Sequence, residues 1–442
     1  MEFPTRSEIE RLLGTQPLPQ FVRVQYDPPT GTLADPTAAA RTELDRLALD
    51  ALDPGATVAV GVGSRGIDGL ADLVAAVVSG LADRGVEPVV VPAMGSHGGA
   101  TSAGQREVLA ALGITEPRVG APIDARMKTE HVGEVAVGDA TLPVHVSTAA
   151  LDADAVLVVN RVKPHTNFSG RIESGLCKMA VAGLGKQRGA KAFHATAVTE
   201  GYVPTLEAAF GVVHDAASLL GGIAVVENFH EETAHVEAVP AGAILDREPD
   251  LLVRAREEMA TLPVEDVDLL VVDELGKEIS GAGMDTNVIG RYRVLNAADP
   301  ETPRIKLIYA RGLSERTKGN GNGIGLADVT RRAAVDQLDV RKTYANALTS
   351  GSLAKAKLPV VAPDDECALR IALAALGSPD PDAVRIVWIE NTQDLGDLCV
   401  STAVVDDLPV GATVQGEASL TFEDGTASFA PRVDGKGDGD DT

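Results

Sequence analysis

The stretch from Asn160 to His194, NRVKPHTNFSGRIESGLCKMAVAGLGKQRGAKAFH, is dense in groups that do chemistry. Arg161, Lys163, His165, Arg171, Glu173, Cys177, Lys178, Lys186, Lys191 and His194 fall within it, spaced by glycines that let a ligand approach the backbone. The whole chain has a formal net charge of -25, so a basic island points to an anion as its partner. Histidine titrates near neutrality and serves acid–base catalysis, and its imidazole also ligates zinc, copper, iron or nickel. A single lysine or arginine in a loop is ordinarily just solvated. Two histidines and a lysine among glycines at the end of a strand call for a site. Cys177 beside Lys178 reads either as a thiol activated by cations or, more commonly, as a small buried residue.

Two other loops have the same character. Gly61-Val-Gly-Ser-Arg-Gly66 departs from the G-x-G-x-x-G spacing of dinucleotide sites, and an arginine in such a turn suits a phosphate or carboxylate. Ser64 and Arg65 are therefore candidate anion or cofactor contacts, aided by the backbone N–H groups at the start of the following helix. In Gly95-Ser-His-Gly-Gly-Ala-Thr101 the small neighbours leave the His97 imidazole uncovered, as acid–base work requires. His131, His145, His214, His230 and His235 lie in ordinary surroundings and read as structural or surface residues. No HExxH and no paired Cys/His spacing occurs, so the residues alone leave a metal open.

Each reactive loop follows a short valine-rich run. Ala155–Val159 precedes the first, Thr57–Gly61 precedes Ser64, and Pro88–Pro92 precedes His97. Helical patterns over Gly69–Arg84 and Ser102–Leu112 alternate with these runs, which predicts a parallel sheet with right-handed crossovers. Ligands of such sheets collect at the carboxyl ends of strands, where all three loops lie. Phe21–Gln25 and a helix over Ala38–Leu49 read as a preamble, and Pro204–Leu220 and Ile223–Asn228 as a further helix and strand. After Thr261-Leu-Pro263 the pattern restarts with Val267–Asp273 and the glycine-rich loop that begins GKEISGAGMDTN. Lys277 and Asn287 in that loop are candidate cofactor contacts by position. Ile305–Ala310, a polar glycine loop over Lys318–Gly325, and Ala383–Ile389 continue the unit.

At 442 residues the chain is too long for one ordinary core. The reading is α/β, with two domains, each a mainly parallel sheet flanked by helices, and the active site in the cleft between them. The larger domain spans 1–265 and the smaller 266–398. Residues 399–430 read as a segment returning to the first domain, and 431–442 as a disordered acidic tail. No apolar run is long enough for a membrane span, and the first residues lack the plan of a signal peptide. Three scattered cysteines make no disulfide framework. The expectation is a cytoplasmic protein, open to homo-oligomerisation, that binds neither nucleic acid nor membrane.

The Pro164-His165-Thr166 loop with its downstream Lys178 and His194, preceded by Ser64-Arg65-Gly66 and Gly95-Ser-His-Gly-Gly99, resembles the lactate racemase family. The resemblance covers most of the chain. It implies an isomerase of 2-hydroxy acids that depends on nickel and on a nickel-pincer nucleotide, pyridinium-3,5-bisthiocarboxylic acid mononucleotide, supplied by cofactor-maturation proteins. By that resemblance His97 and His165 are the two catalytic histidines, His194 ligates nickel, Lys178 binds the cofactor, and Arg65 holds cofactor or substrate anions. The stretch between His165 and Lys178 is longer than in the lactate enzymes, which leaves Lys178 either as a covalent tether or as an ionic contact. The loop holding Lys277 and Asn287 also departs from the lactate enzymes, so a 2-hydroxy acid other than lactate is expected. Hydride removal from C2 gives a planar 2-keto acid that can be reduced on either face, while two histidines exchange the hydroxyl proton. Lys163 and Arg171, with Arg65, supply a cationic clamp for the carboxylate. An NAD- or zinc-dependent hydroxy-acid enzyme, or a non-catalytic nucleotide- or anion-binding protein, would use a basic loop of the same kind.

Overall fold

Valine-rich strands and alanine- and leucine-rich helices sort into two α/β units. The computed structural model describes residues 2–64 and 66–429. Arg65 and the acidic tail 431–442 lie outside the described residues. In chain order the strands are β1 (Phe21–Tyr26), β2 (Thr57–Val62), β3 (Glu87–Pro92), β4 (Thr129–Val137), β5 (Ala140–Ser147), β6 (Ala155–Arg161), β7 (Leu219–Glu227) and β8 (Thr233–Pro240). They continue with β9 (Asp266–Val272), β10 (Arg304–Ala310), β11 (Val329–Arg331), β12 (Val360–Ala362), β13 (Ile386–Ile389), β14 (Asp397–Ser401) and β15 (Ala412–Ala418).

One unit comprises residues 30–260 with 295–298. Its five-stranded sheet has the order β3-β2-β6-β7-β8, parallel except for β8. Successive strand residues point to opposite faces, and both faces are covered. Val58, Val60, Leu157, Val159 and Ile223 join one core, while Ala59, Val156, Val158 and Ala224 join the other. The first core is closed by the helix Leu70–Ala82, whose Leu70, Leu73, Val74, Val77 and Leu81 recur at helical spacing and are buried. The helices Lys186–Glu200 and Tyr202–Ala216 cover the second core, and the β4–β5 hairpin packs on them. From β2 the chain passes to β3 on one side and returns to β6 on the other. The strand order therefore reverses between β2 and β6, the position where such sheets bind ligands.

The other unit comprises residues 2–29, 261–294 and 299–429. Its eight-stranded sheet has the order β12-β11-β10-β9-β13-β14-β1-β15. The first five of these strands are parallel and the last three pair antiparallel. This corrects the expected chain path: of the segment 399–430, the described residues 399–429 stay with the second unit, and the N-terminal strand joins them there. The cause is apolar burial at β1, whose Phe21 ring meets Trp388 and Phe429 edge-on at centroid distances of 6.5 and 5.3 Å. Among the described residues no helix is long and apolar enough to cross a membrane.

Candidate active site

The carboxyl ends of β2, β3 and β6 hold the predicted residues. β2 ends at Val62, and two residues on the Ser64 hydroxyl contacts Nδ1 of His97, which follows the end of β3. The two loops are thus joined side chain to side chain. Thr101 caps the helix Ser102–Ala111 by accepting from Gly104 N–H, and Gln105 in that helix donates to the Gly95 and His97 carbonyls at 3.0 and 3.4 Å. The His97 turn is held by its backbone while its imidazole stays exposed.

After β6 the chain makes a closed loop. Lys163 and Ser174 exchange backbone hydrogen bonds at its neck, 2.9 and 3.2 Å long. Inside it sits Glu173, 1% exposed, whose carboxylate accepts from the His165 and Gly170 N–H groups and pairs with Arg256. A buried carboxylate with two amide donors and a guanidinium is satisfied, and it fixes the loop's shape. His165 Nδ1 accepts from Asn167 N–H at 3.1 Å, so the neutral ring carries its proton on Nε2. Arg161 at the end of β6 pairs with Glu227 at the end of β7, and Glu227 also accepts from Asp68 N–H at 2.8 Å.

Aromatic rings connect this loop to the helix that bears His194. Phe168 stacks on Tyr202 with centroids 4.3 Å apart and planes within 7°. The His165 ring lies 4.5 Å from Phe168, and the His194 ring lies 6.4 Å from Tyr202 and 5.1 Å from Phe193. Lys178 Nζ stands 6.0 Å from the Phe168 centroid. His165, Lys178 and His194 therefore border one aromatic cluster. His194 keeps solvent access but is crowded by protein, and its pKa is pushed down to about 4, first by desolvation and then by the Lys178 charge. It is a neutral imidazole across the physiological range, the form in which histidine ligates metals. Burial raises the Tyr202 phenol above its ordinary value. Among the described residues no group of three His, Cys, Asp or Glu side chains could hold a metal.

Several residues stand apart from this cluster. Arg171 pairs with Glu207 at 2.6 Å and donates to the Leu245 carbonyl at 2.9 Å, so its guanidinium is engaged in tying helices rather than in the cluster. Cys177 is fully buried, and burial, followed by the nearby Glu248 charge, drives its thiol well up, which removes the nucleophile reading. Lys277 and Asn287 belong to the other unit, in the loop after β9. Lys277 N–H donates to Thr317 Oγ1 at 3.2 Å, and Asn287 donates to Asp285 and accepts from the Tyr292 hydroxyl. Phe168 and Tyr202 carry the arrangement without standing out in the sequence, and Glu173, visible there as a reactive group, serves to shape the loop. The short Gly170-to-Gly175 interval around Glu173 was the available signal.

The model of a family described as a domain of unknown function (DUF362) matches residues 66–272, a span that holds His97, His165, Lys178 and His194. No curated protein matches the chain. Among solved structures, the lactate racemase apoprotein from Thermoanaerobacterium thermosaccharolyticum is similar at 12% identity and a TM-score of 0.46, over 84% of this chain and 89% of that one.

Proposed function

We propose that this chain is a racemase or epimerase of a 2-hydroxy acid that works with a nickel-pincer pyridinium nucleotide. The observation that carries the reading is the gathering of His165, Lys178 and His194 around the Phe168–Tyr202 stack, at the same strand ends as the Ser64–His97 pair. The residues fit such a cofactor. A single neutral imidazole, His194, suits a metal whose remaining donors come from the cofactor itself. Lys178 stands beside a flat aromatic wall, suited to the charge of a nucleotide or its thiocarboxylate, by covalent or ionic attachment.

When bound, the cofactor supplies a reversible acceptor for the hydrogen on C2. The chain's own residues handle the protons and the orientation. The Ser64 contact engages Nδ1 of His97, so Nε2 is the nitrogen that exchanges a proton with the substrate hydroxyl. His165, with Nδ1 committed to Asn167 N–H, also works through Nε2. One of the two takes the hydroxyl proton and the other returns it, which serves both enantiomers. Lys163, at the neck of the His165 loop, is kept as a cation for the carboxylate. Arg65, outside the described residues, is kept as a second anion contact, and Lys277 and Asn287 as cofactor contacts.

The test is production together with the cofactor-maturation proteins, followed by a screen of chiral 2-hydroxy acids. Enantiomer interconversion that is lost in His97→Ala and His165→Ala supports the reading. Tightly bound zinc or a nicotinamide nucleotide in active protein would move it to a dehydrogenase-type enzyme. Bound nucleotide without turnover of any acid would make the chain a binding protein.

A further inference from the structure

Lys186 has no part in the scheme above, yet it is placed at two costs. Its side chain is 0% exposed, and burying an ammonium is unfavourable unless its hydrogen bonds are met. Its backbone has φ +51°, a left-handed conformation that glycine adopts without penalty and a side chain does not. Gly183, Gly185, Gly189 and Ala190 stand close by in the chain, so small residues are available in this segment. A strained backbone and a buried amine at the same residue indicate that the amine itself is needed.

The partners show what it does. Lys186 Nζ donates to the Pro92 carbonyl at 2.6 Å and to Gln105 Oε1 at 3.0 Å. Pro92 ends β3, and Gln105 is the fully buried amide that grips the Gly95 and His97 carbonyls. Lys186 itself begins the helix that carries His194 and follows the turn after the Lys178 segment. At the same seam Gly95 N–H donates to the Gly183 carbonyl at 3.1 Å, and a Cβ on Gly183 would lie 2.6 Å from the Ala93 carbonyl. The His97 turn and the Lys178–His194 segment thus touch backbone to backbone, and Lys186 is the polar group that spans them. Burial lowers its pKa to about 8, offset in part by Asp124, which is itself held by Arg126. The amine is therefore still mainly charged at neutral pH, when its hydrogen bonds are strongest.

We propose that Lys186 is a positioning residue that locks the His97 turn onto the segment bearing Lys178 and His194. Its importance for turnover rests on the function proposed above, whereas the docking of the two segments does not.

The experiment is amide hydrogen exchange and histidine-ring NMR on the full chain, as wild type, Lys186→Met and Lys186→Arg. The Gly95 amide reports the seam directly. Loss of a charge-assisted bond predicts exchange at Gly95 at least roughly tenfold faster in Lys186→Met. Amides of β9 and β10, which belong to the other unit, should be unchanged. The His97 ring nitrogens should shift while those of His131 stay put, and Lys186→Arg should recover part of both signals. If Lys186→Met does not fold, Gln105→Leu cuts the same chain of bonds at its middle, and the same Gly95 and His97 changes are expected. Folded variants with wild-type Gly95 exchange and unshifted His97 signals would overturn the proposal. These readouts need no substrate, so a wild type that racemises nothing would count against the proposed function and leave this result intact.

Discussion

Phe168 and Tyr202 lie ring on ring, 4.3 Å between centroids, with His165 against the first ring and His194 near the second. One ring comes from the loop after β6 and the other from the helix Tyr202–Ala216, so the stack fixes the distance between two chemical groups far apart in the chain. Phe168 is 4% exposed. Phe168→Ala should cost about 3–5 kcal/mol in urea unfolding, as large-to-small aromatic changes in cores do. Tyr202→Phe keeps the stack and should leave stability nearly unchanged. The ring signals of His165 and His194 should move in the first variant and stay in the second.

Glu173 and Arg171 are two residues apart and predict opposite results. Glu173 is buried and holds two backbone amides and Arg256, so Arg256→Ala leaves a buried carboxylate short of its counter-charge. The expected loss is about 3–5 kcal/mol. Arg171 pairs with Glu207 where both side chains are partly in water, at 50% and 31% exposure. Arg171→Ala should cost about 0–1 kcal/mol. Denaturant unfolding of the two variants side by side checks the contrast, and equal losses would contradict it.

Glu248 makes stability depend on pH. It is fully buried, accepts from Cys177 N–H at 2.9 Å with one oxygen, and has no partner for the other. Burial raises its pKa from 4.5 to about 7. Between those values the folded protein keeps a proton that the unfolded chain releases. The associated stability is complete below about pH 4.5 and is lost as pH rises through 7, by about 3 kcal/mol at most. Glu248→Gln should therefore flatten the fall in unfolding midpoint between about pH 5 and pH 8. Parallel profiles for the two proteins would show that another group is responsible.

How much of this could be read from the sequence follows from how local each signal is. β2, β3 and β6 announce themselves as valine runs before glycine loops, and His97, His165, Lys178 and His194 follow from them because each lies within or after such a loop. The Thr129–Ser147 hairpin was missed, since its alternation is broken by Gly133 and Pro143. The placement of β1 beside β14 and β15 depends on Phe21 meeting Trp388 and Phe429, contacts across nearly the whole chain that no local pattern encodes. Arg171 looked like a ligand contact by its type alone. Its partner Glu207 lies on a later helix, and only the fold brings the two together. Tyr202 is invisible for the same reason: an ordinary first residue of a helix becomes a wall once Phe168 is folded onto it.

Nickel should depend on His194 and not on the other two histidines. In protein matured with the cofactor, His194→Ala removes the imidazole assigned to the metal and should lower nickel content sharply. His97→Ala and His165→Ala should keep it near the wild-type level. Elemental analysis of the four proteins decides this, and undiminished nickel in His194→Ala would remove that residue from the coordination shell.

The central claim is tested most directly with a 2-hydroxy acid deuterated at C2, followed by mass spectrometry during racemisation in ordinary water. Transfer of the C2 hydrogen to an acceptor within the site and back predicts that the product enantiomer largely keeps its deuterium. His97→Ala and His165→Ala should each slow interconversion from both enantiomers by about 10²–10⁴-fold, the usual share of a general acid or base. Loss of deuterium to solvent at the rate of racemisation would mean that C2 is deprotonated instead, and would contradict the account.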